Sequence, residues 1–195
     1  MLTEVKKEDP RARRTRQLLI QAFGELLKEK SFQSITVQDI AQRATVNRAT
    51  FYAHFEDKYA LLNAMIRDAF RQRLTSRLPE GAKFSPENLR ILILALCEFM
   101  AEFHSHCKPI DQQLLPLLET TITAELYDVL SSWLKEGAAA TSDSKVPAEV
   151  AAVVASWAIY GAATQWSREK RAGSAQEFVS QVLPMILTGL SQASR

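Results

Sequence analysis

Two cysteines, six glycines and a net charge of only +2 in 195 residues exclude several kinds of protein before any motif is sought. Cys97 and Cys107 form no CxxC pair and lack the regular spacing of a secreted disulfide scaffold, so free thiols in a reducing compartment are expected. No apolar run exceeds Ile91 to Cys97 (ILILALC), far short of the roughly 20 residues a bilayer crossing needs, and the N-terminal stretch MLTEVKKEDPRARRTR has no apolar signal region. A soluble, cytoplasmic protein is the expectation. The glycines are too few and too scattered for a phosphate-binding loop, and neither a nucleophile elbow nor an HExxH motif occurs. No enzymatic activity, catalytic residue or cofactor is therefore expected.

What is present is helical patterning. A hydrophobic content of 47% suffices for one large or two small cores. No run alternates between turn signals in the manner of a strand, and an all-α fold follows. The first helix is predicted from about Arg13 to Lys28, with Leu19, Ala22, Phe23, Leu26 and Leu27 on one stripe. In ITVQDIAQRA, Thr36 is placed to cap a second, short helix over about 37–44. Asp39 follows three residues on, as in a capping box, and Ile35 and Ile40 stand at the staple positions. Asn47 is a good cap for a third helix, anchored by Val46, Phe51 and Phe55. Two short helices about a tight turn make the helix-turn-helix pattern.

A fourth helix is predicted from about Asp57, with Leu62, Met65, Ile66, Ala69, Phe70 and Leu74 inward. The two prolines and the glycine of LPEGAKFSPEN mark a domain boundary there. The expected organisation is an N-terminal arm and helix-turn-helix over 1–57, a connecting helix over 58–77 and a second helical domain over 78–195. Ser85 and Pro86 open a helix to about His106, a further helix spans about Leu117 to Glu136 and is closed by Gly137, and another spans about Pro147 to Lys170. Ser174 and Glu177 form a second capping box before a last helix, in which Pro184 is an expected irregularity.

If Val46, Phe51 and Phe55 face inward, then Asn47, Arg48, Thr50, Tyr52 and His54 lie on the outer face of the third helix. Arginine can grip guanine, asparagine adenine, and threonine the thymine methyl, while tyrosine and histidine suit phosphate oxygens. Thr36 and Lys58 begin the flanking helices, where unpaired N–H groups favour an anion. Residues 1–60 carry 11 Lys/Arg against 8 Asp/Glu and the remainder 13 against 14. A polyanion partner and a solvated basic tail both fit that asymmetry.

The run TVQDIAQRATVNRATFYAHFEDKYALL closely resembles the signature of the TetR family of transcriptional regulators, T-V-x-x-I-A-x-x-A-G-V-S-x-x-T-F-Y-x-H-F-x-x-K-x-x-L-L. The likeness extends over about residues 18 to 70. It implies a homodimeric repressor that binds double-stranded DNA at a palindromic operator and is released by a small molecule. It also implies DNA contacts from Thr36, Thr50, Tyr52, His54 and Lys58, chiefly to phosphate, with specificity resting on Asn47, Arg48 and Thr50. Arg13, Arg14 and Arg16 would form a DNA-reaching arm or a solvated basic tail. A TetR-like coactivator working through partner proteins and a metal-responsive regulator are the alternatives. One departure is Thr45, where the family has glycine: a β-branched residue there is strained if the turn needs positive φ.

The resemblance places a dimer interface and an effector site in the second domain. Val150, Val154, Trp157 and Gly161 form one stripe and Val179, Val182, Leu183, Ile186 and Leu190 another; a four-helix contact between protomers and packing within one subunit both account for them. Phe99, Phe103, Tyr127, Trp133, Trp157 and Trp166 either line an apolar pocket or serve as core. His104 and His106 are two apart, unlike the i, i+4 pair of a helical metal site, so HSHC with Glu102 and Asp111 nearby is expected to hold no metal.

Overall fold

Asp9 and Pro10 open the first helix earlier than the hydrophobic periodicity indicates. Asp9 Oδ1 accepts the Arg11 N–H at 3.0 Å and Pro10 stands at the first helical position, where its missing N–H costs nothing. The computed structural model describes residues 9–106, 114–138, 146–168 and 173–191. Its elements are α1 (Pro10–Glu29), a 3-10 turn (Phe32–Ser34), α2 (Val37–Arg43), α3 (Arg48–His54), α4 (Lys58–Thr75), α5 (Pro86–His106), α6 (Leu115–Ala138), α7 (Ala148–Arg168) and α8 (Ala175–Ser191). The fold is all-α, without a strand among the described residues.

The chain forms two compact units, divided within α4 after Met65. In the first, α1, α2 and α3 pack on one another around Leu19, Phe23, Leu26, Phe32, Ile35, Ile40, Phe51 and Leu61, all fully or almost fully buried. Burying a phenylalanine of this kind contributes roughly 1.5–3 kcal/mol, which is how helices as short as α2 and α3 hold together. Phe23 and Phe32 meet edge to face at 6.1 Å, and Phe51 and Phe55 at 6.0 Å. Leu27 and Val46, expected inside, are only half-buried. In α4 the inward stripe includes Leu61, while Ala69 faces solvent.

In the second unit, α5 packs on α7 and α8, and α7 packs on α6 and α8. The Ser85 hydroxyl accepts the Asn88 N–H at 3.1 Å, the cap anticipated before Pro86. Leu92, Ile93, Ala95, Leu96 and Cys97 of the apolar run are buried, with Ile91 and Leu94 half-buried. On α7, against which α5 packs, Ala151, Ala152, Ala155, Ile159 and Ala163 are buried, and the alanines let helices approach. Gly137 lies inside α6 rather than closing it. The Ser174–Glu177 capping box forms, at 2.9 and 3.2 Å. Pro184 lies within a continuous α8. The expected helix end at 169–170 lies outside the described residues.

Candidate nucleic-acid interface

The turn between α2 and α3 sets the pitch of the third helix. Thr45 N donates to Gln42 O at 3.1 Å and Val46 N to Ala41 O at 2.9 Å, the paired bonds of a Schellman motif. Thr45 occupies its left-handed position, with φ of 57°. This is the position that favours glycine, so the anticipated strain is present at a β-branched residue.

Asn47 then caps α3. Its Oδ1 accepts the Thr50 N–H at 2.7 Å and the Thr50 hydroxyl at 2.9 Å. The carbonyl oxygen is thereby spent inside the protein, and the two-point grip on adenine expected from the sequence is not available to Asn47 in this conformation. Its amide N–H₂ and the Thr50 methyl remain for a partner. Phe51 at 0% exposure and Phe55 anchor the helix, while Arg48, Ala49, Tyr52 and Ala53 are exposed at i, i+1, i+4 and i+5. The guanidinium of Arg48 donates to the Tyr52 hydroxyl at 3.3 Å and lies 5.8 Å from its ring centroid. His54 is half-buried. Ala49 and Ala53, not anticipated, make the outer face shallow enough for close approach by a broad surface.

The flanking helix starts differ from their expected form. The Thr36 N–H and hydroxyl both donate to Asp39 Oδ2, at 2.8 and 2.7 Å, and the Asp39 N–H donates back to Thr36 Oγ1 at 3.1 Å. Lys30 adds an ion pair to Asp39 at 2.9 Å. These bonds, led by the Thr36 hydroxyl, hold the Asp39 carboxyl well below the usual carboxylate range. Thr36 therefore has no unspent donor for a phosphate. Asp57 Oδ1 accepts the Ala60 N–H at 2.7 Å and caps α4. The ammonium of Lys58, expected at a phosphate, donates to Phe32 O, Gln33 O and Ile35 O at 3.0, 3.2 and 2.9 Å.

Arg13, Arg14 and Arg16 do not form an extended arm, because α1 begins before them and takes them into its first turns. Arg13 and Arg14 are exposed; Arg16 lies over the Phe55 ring at 5.7 Å. Arg43 is neutralised by Glu29, which takes both of its terminal nitrogens at 2.8 Å. Arg48 is the exposed cation on the α3 face itself, and Arg13 and Arg14 are exposed on α1.

Residues 19–65 match the model of the bacterial regulatory proteins of the tetR family. That segment, which holds the helix-turn-helix, carries the tetR-family signature. It is 43% identical over 63 residues to an uncharacterised HTH-type transcriptional regulator, YxbF, of Bacillus subtilis, covering 32% of this chain and 17% of that one. It is 34% identical over 97 residues to the class G tetracycline repressor of Vibrio anguillarum, covering 47% and 46%. The matches thus span less than half the length of these relatives. Among solved structures, Thermus thermophilus FadR, described as a TetR-family repressor in complex with lauroyl-CoA, superposes with a TM-score of 0.59 at 24% identity, over 90% of this chain and 94% of that one. That likeness is one of fold.

In the second unit, the six aromatics named from sequence do not share one cleft among the described residues. Trp133 lines a cleft of about 760 Å³ with Arg71, Leu78, Pro79, Glu125 and Asp128. Trp157 lines a separate one of about 330 Å³. Phe99 packs against Phe70 at 5.5 Å, Phe103 against His104 at 6.0 Å, and Trp166 stacks on Phe178 at 6.0 Å. Tyr127 is half-buried. Glu125, which the sequence did not single out, is a buried acid of this unit: Arg67 pairs with its Oε1 at 3.0 Å and Arg71 with both oxygens. Its spacing to Arg67 and Arg71 in the chain carries no local signal.

His104 Nδ1 lies 2.9 Å from the Ser167 hydroxyl, which itself donates to Thr164 O at 2.8 Å. Burial, seconded by the Arg168 charge, lowers the histidine's proton affinity. Glu102 pairs with Arg73. The His106 side chain, Cys107 and Asp111 lie outside the described residues. No helix among the described residues is long and apolar enough to cross a membrane.

Proposed function

We propose that the protein is a ligand-responsive, DNA-binding transcriptional regulator that acts as a homodimeric repressor on a palindromic operator. The observation that carries this reading is the division of α3, with Phe51 and Phe55 buried and Arg48, Ala49, Tyr52 and Ala53 turned to solvent. In it Arg48 reads guanine, the Thr50 methyl touches thymine, and Tyr52 and His54 donate to phosphate oxygens. Asn47 contributes its N–H₂ group alone. Thr36 acts through the cap that sets α2.

The dimer reading is supported by the outer face of the second unit. Val150, Val154 and Trp157 of α7 are half to two-thirds exposed and Met185 of α8 is 75% exposed. Val150, Val154 and Met185 line an apolar cleft that also includes Ile186 and Gly189. Packing within one subunit leaves these side chains in water, so a second copy is the partner that covers them. Two recognition helices then lie about 34 to 36 Å apart, one DNA turn.

Release requires an effector that prefers a conformer of different spacing, and it weakens operator binding by that preference alone. The 760 Å³ cleft beside Trp133 is the effector site in this scheme, because Arg71 and Glu125 in its wall tie α6 to α4. The decisive experiment is a gel shift with footprinting on the DNA flanking the protein's own gene, repeated with candidate metabolites. A symmetric protected site, lost on adding one compound, supports the scheme. No shift at low ionic strength, or protection only with a partner protein present, defeats it.

A further inference from the structure

Lys58 stands where a cation is locally unfavourable. It is the first residue of α4, at the positive end of the helix dipole. A lysine there needs an anionic partner. The one the structure supplies is the C-terminal end of the 3-10 turn, where three backbone carbonyls converge. Phe32 O, Gln33 O and Ile35 O receive the three N–H donors of the ammonium at 3.0, 3.2 and 2.9 Å, so its hydrogen-bonding capacity is filled. The nitrogen also lies 4.5 Å from the Phe32 ring centroid. Phe32 is itself fully buried, against Phe23 and Tyr59.

We infer that Lys58 is a positioning residue: its ammonium clamps the 3-10 turn onto the start of α4 and thereby fixes the entry to α2, and it neutralises no DNA phosphate. This rests on the DNA-binding reading for its consequence but not for its geometry. Ile35 directly precedes the Thr36 cap, and α2 packs on α3, so a slack 3-10 turn shifts the recognition helix through α2. Only the protonated amine supplies three donors, and burial lowers its proton affinity from the ordinary lysine value. The two effects oppose each other, and the carbonyl triad is what keeps the charge in place.

Two measurements test the clamp. In the free full-length protein, acetylation by an N-hydroxysuccinimide ester, followed by peptide mass spectrometry, should modify Lys58 at least about tenfold more slowly than the exposed Lys28, because its donors are occupied. Equal rates would overturn the inference. In the second, the Lys58→Met variant and wild type are titrated across salt with a DNA fragment that wild type retains. The clamp predicts a loss of affinity of about tenfold with an unchanged log–log salt slope, whereas a phosphate contact predicts a slope smaller by about one. A reduced slope overturns the inference, as does a lowered melting temperature with DNA affinity intact. If wild type binds no DNA at low salt, the regulator reading fails, and slow acetylation still sustains the clamp.

Discussion

Asn47 and Thr50 close on each other at the mouth of α3, where one Asn47 oxygen takes both the backbone N–H and the hydroxyl of Thr50 at 2.7 and 2.9 Å. That contact makes a helix only seven residues long begin at a defined residue, and it removes from Asn47 the acceptor it would need to read adenine. Asn47→Ala should lower stability by about 1 kcal/mol in urea unfolding. Asn47→Asp should keep the cap but weaken DNA binding by adding a negative charge to the α3 face. Equal DNA affinity for Asn47→Asp and wild type in a low-salt gel shift would take Asn47 off that face.

Thr45 sits at φ 57° in the turn that glycine ordinarily occupies. Relief of the left-handed conformation is worth about 1–2 kcal/mol, against a glycine entropy cost of about 0.5–1 kcal/mol. Thr45→Gly should therefore raise stability slightly, by about 0.5–1 kcal/mol, and leave DNA binding unchanged. A clear fall in melting temperature would show that the threonine side chain contributes more than its backbone costs.

Asp39 gives the first unit an acid limit. Its carboxyl is held low by the Thr36 hydroxyl first, then by the Thr36 N–H and Lys30. A depressed folded-state value means the unfolded chain binds the proton more readily. The stabilisation is therefore fully present above the unfolded carboxyl value, about 4, and disappears as pH falls below it. The melting-temperature gap between wild type and Asp39→Asn should be widest near neutrality and shrink steadily below about pH 4. A gap independent of pH would refute the assignment.

Glu125 and its two arginines should respond unequally to mutation. Glu125 is 5% exposed, whereas Arg67 and Arg71 are about half exposed. Removing the acid leaves the arginines in water, so Glu125→Gln should cost about 1–2 kcal/mol, between the values for surface and buried pairs. Removing both arginines strands a buried carboxylate, and the Arg67→Met/Arg71→Met double variant should cost more, about 3 kcal/mol or above. Denaturant unfolding of the two variants compares them directly, and equal losses would mean that Glu125 is solvated.

Val154, at 65% exposure, tests the outer face of α7. A charge there meets water in a monomer and apolar surface in a dimer. Val154→Glu should leave the helical circular dichroism unchanged while shifting sedimentation from dimer to monomer, and it should weaken DNA binding by removing the second half-site. An unshifted sedimentation coefficient would exclude this face as the interface.

Local devices were legible in the chain because they act over three or four residues. The Thr36–Asp39 box, the Asn47 cap, the Ser85 cap and the Ser174–Glu177 box are all i to i+3 contacts, and each forms where its residue types predict. The positive φ of Thr45 was legible for the same reason. Less accessible were elements whose signals competed: Asp9 and Pro10 announce the start of α1, but the basic run after them reads equally well as an unfolded arm. Whether the six aromatics line a pocket or serve as core was left open by the sequence, because helical periodicity gives the side on which a residue lies and not the neighbour that fills the space beyond it.

The order of the helices, the caps of α2, α3, α5 and α8, the helix-turn-helix spacing and the tetR-like signature were determined by the sequence alone, since each depends on near neighbours or on a motif. Only tertiary structure decided that Lys58 turns inward to carbonyls 23 to 26 residues away, that Arg67 and Arg71 converge on Glu125, and that Val150, Val154 and Trp157 remain in water. A charged or apolar side chain acquires its role from the groups that packing brings to it across the chain, and those distances are set by the assembled core, not by the spacing of letters.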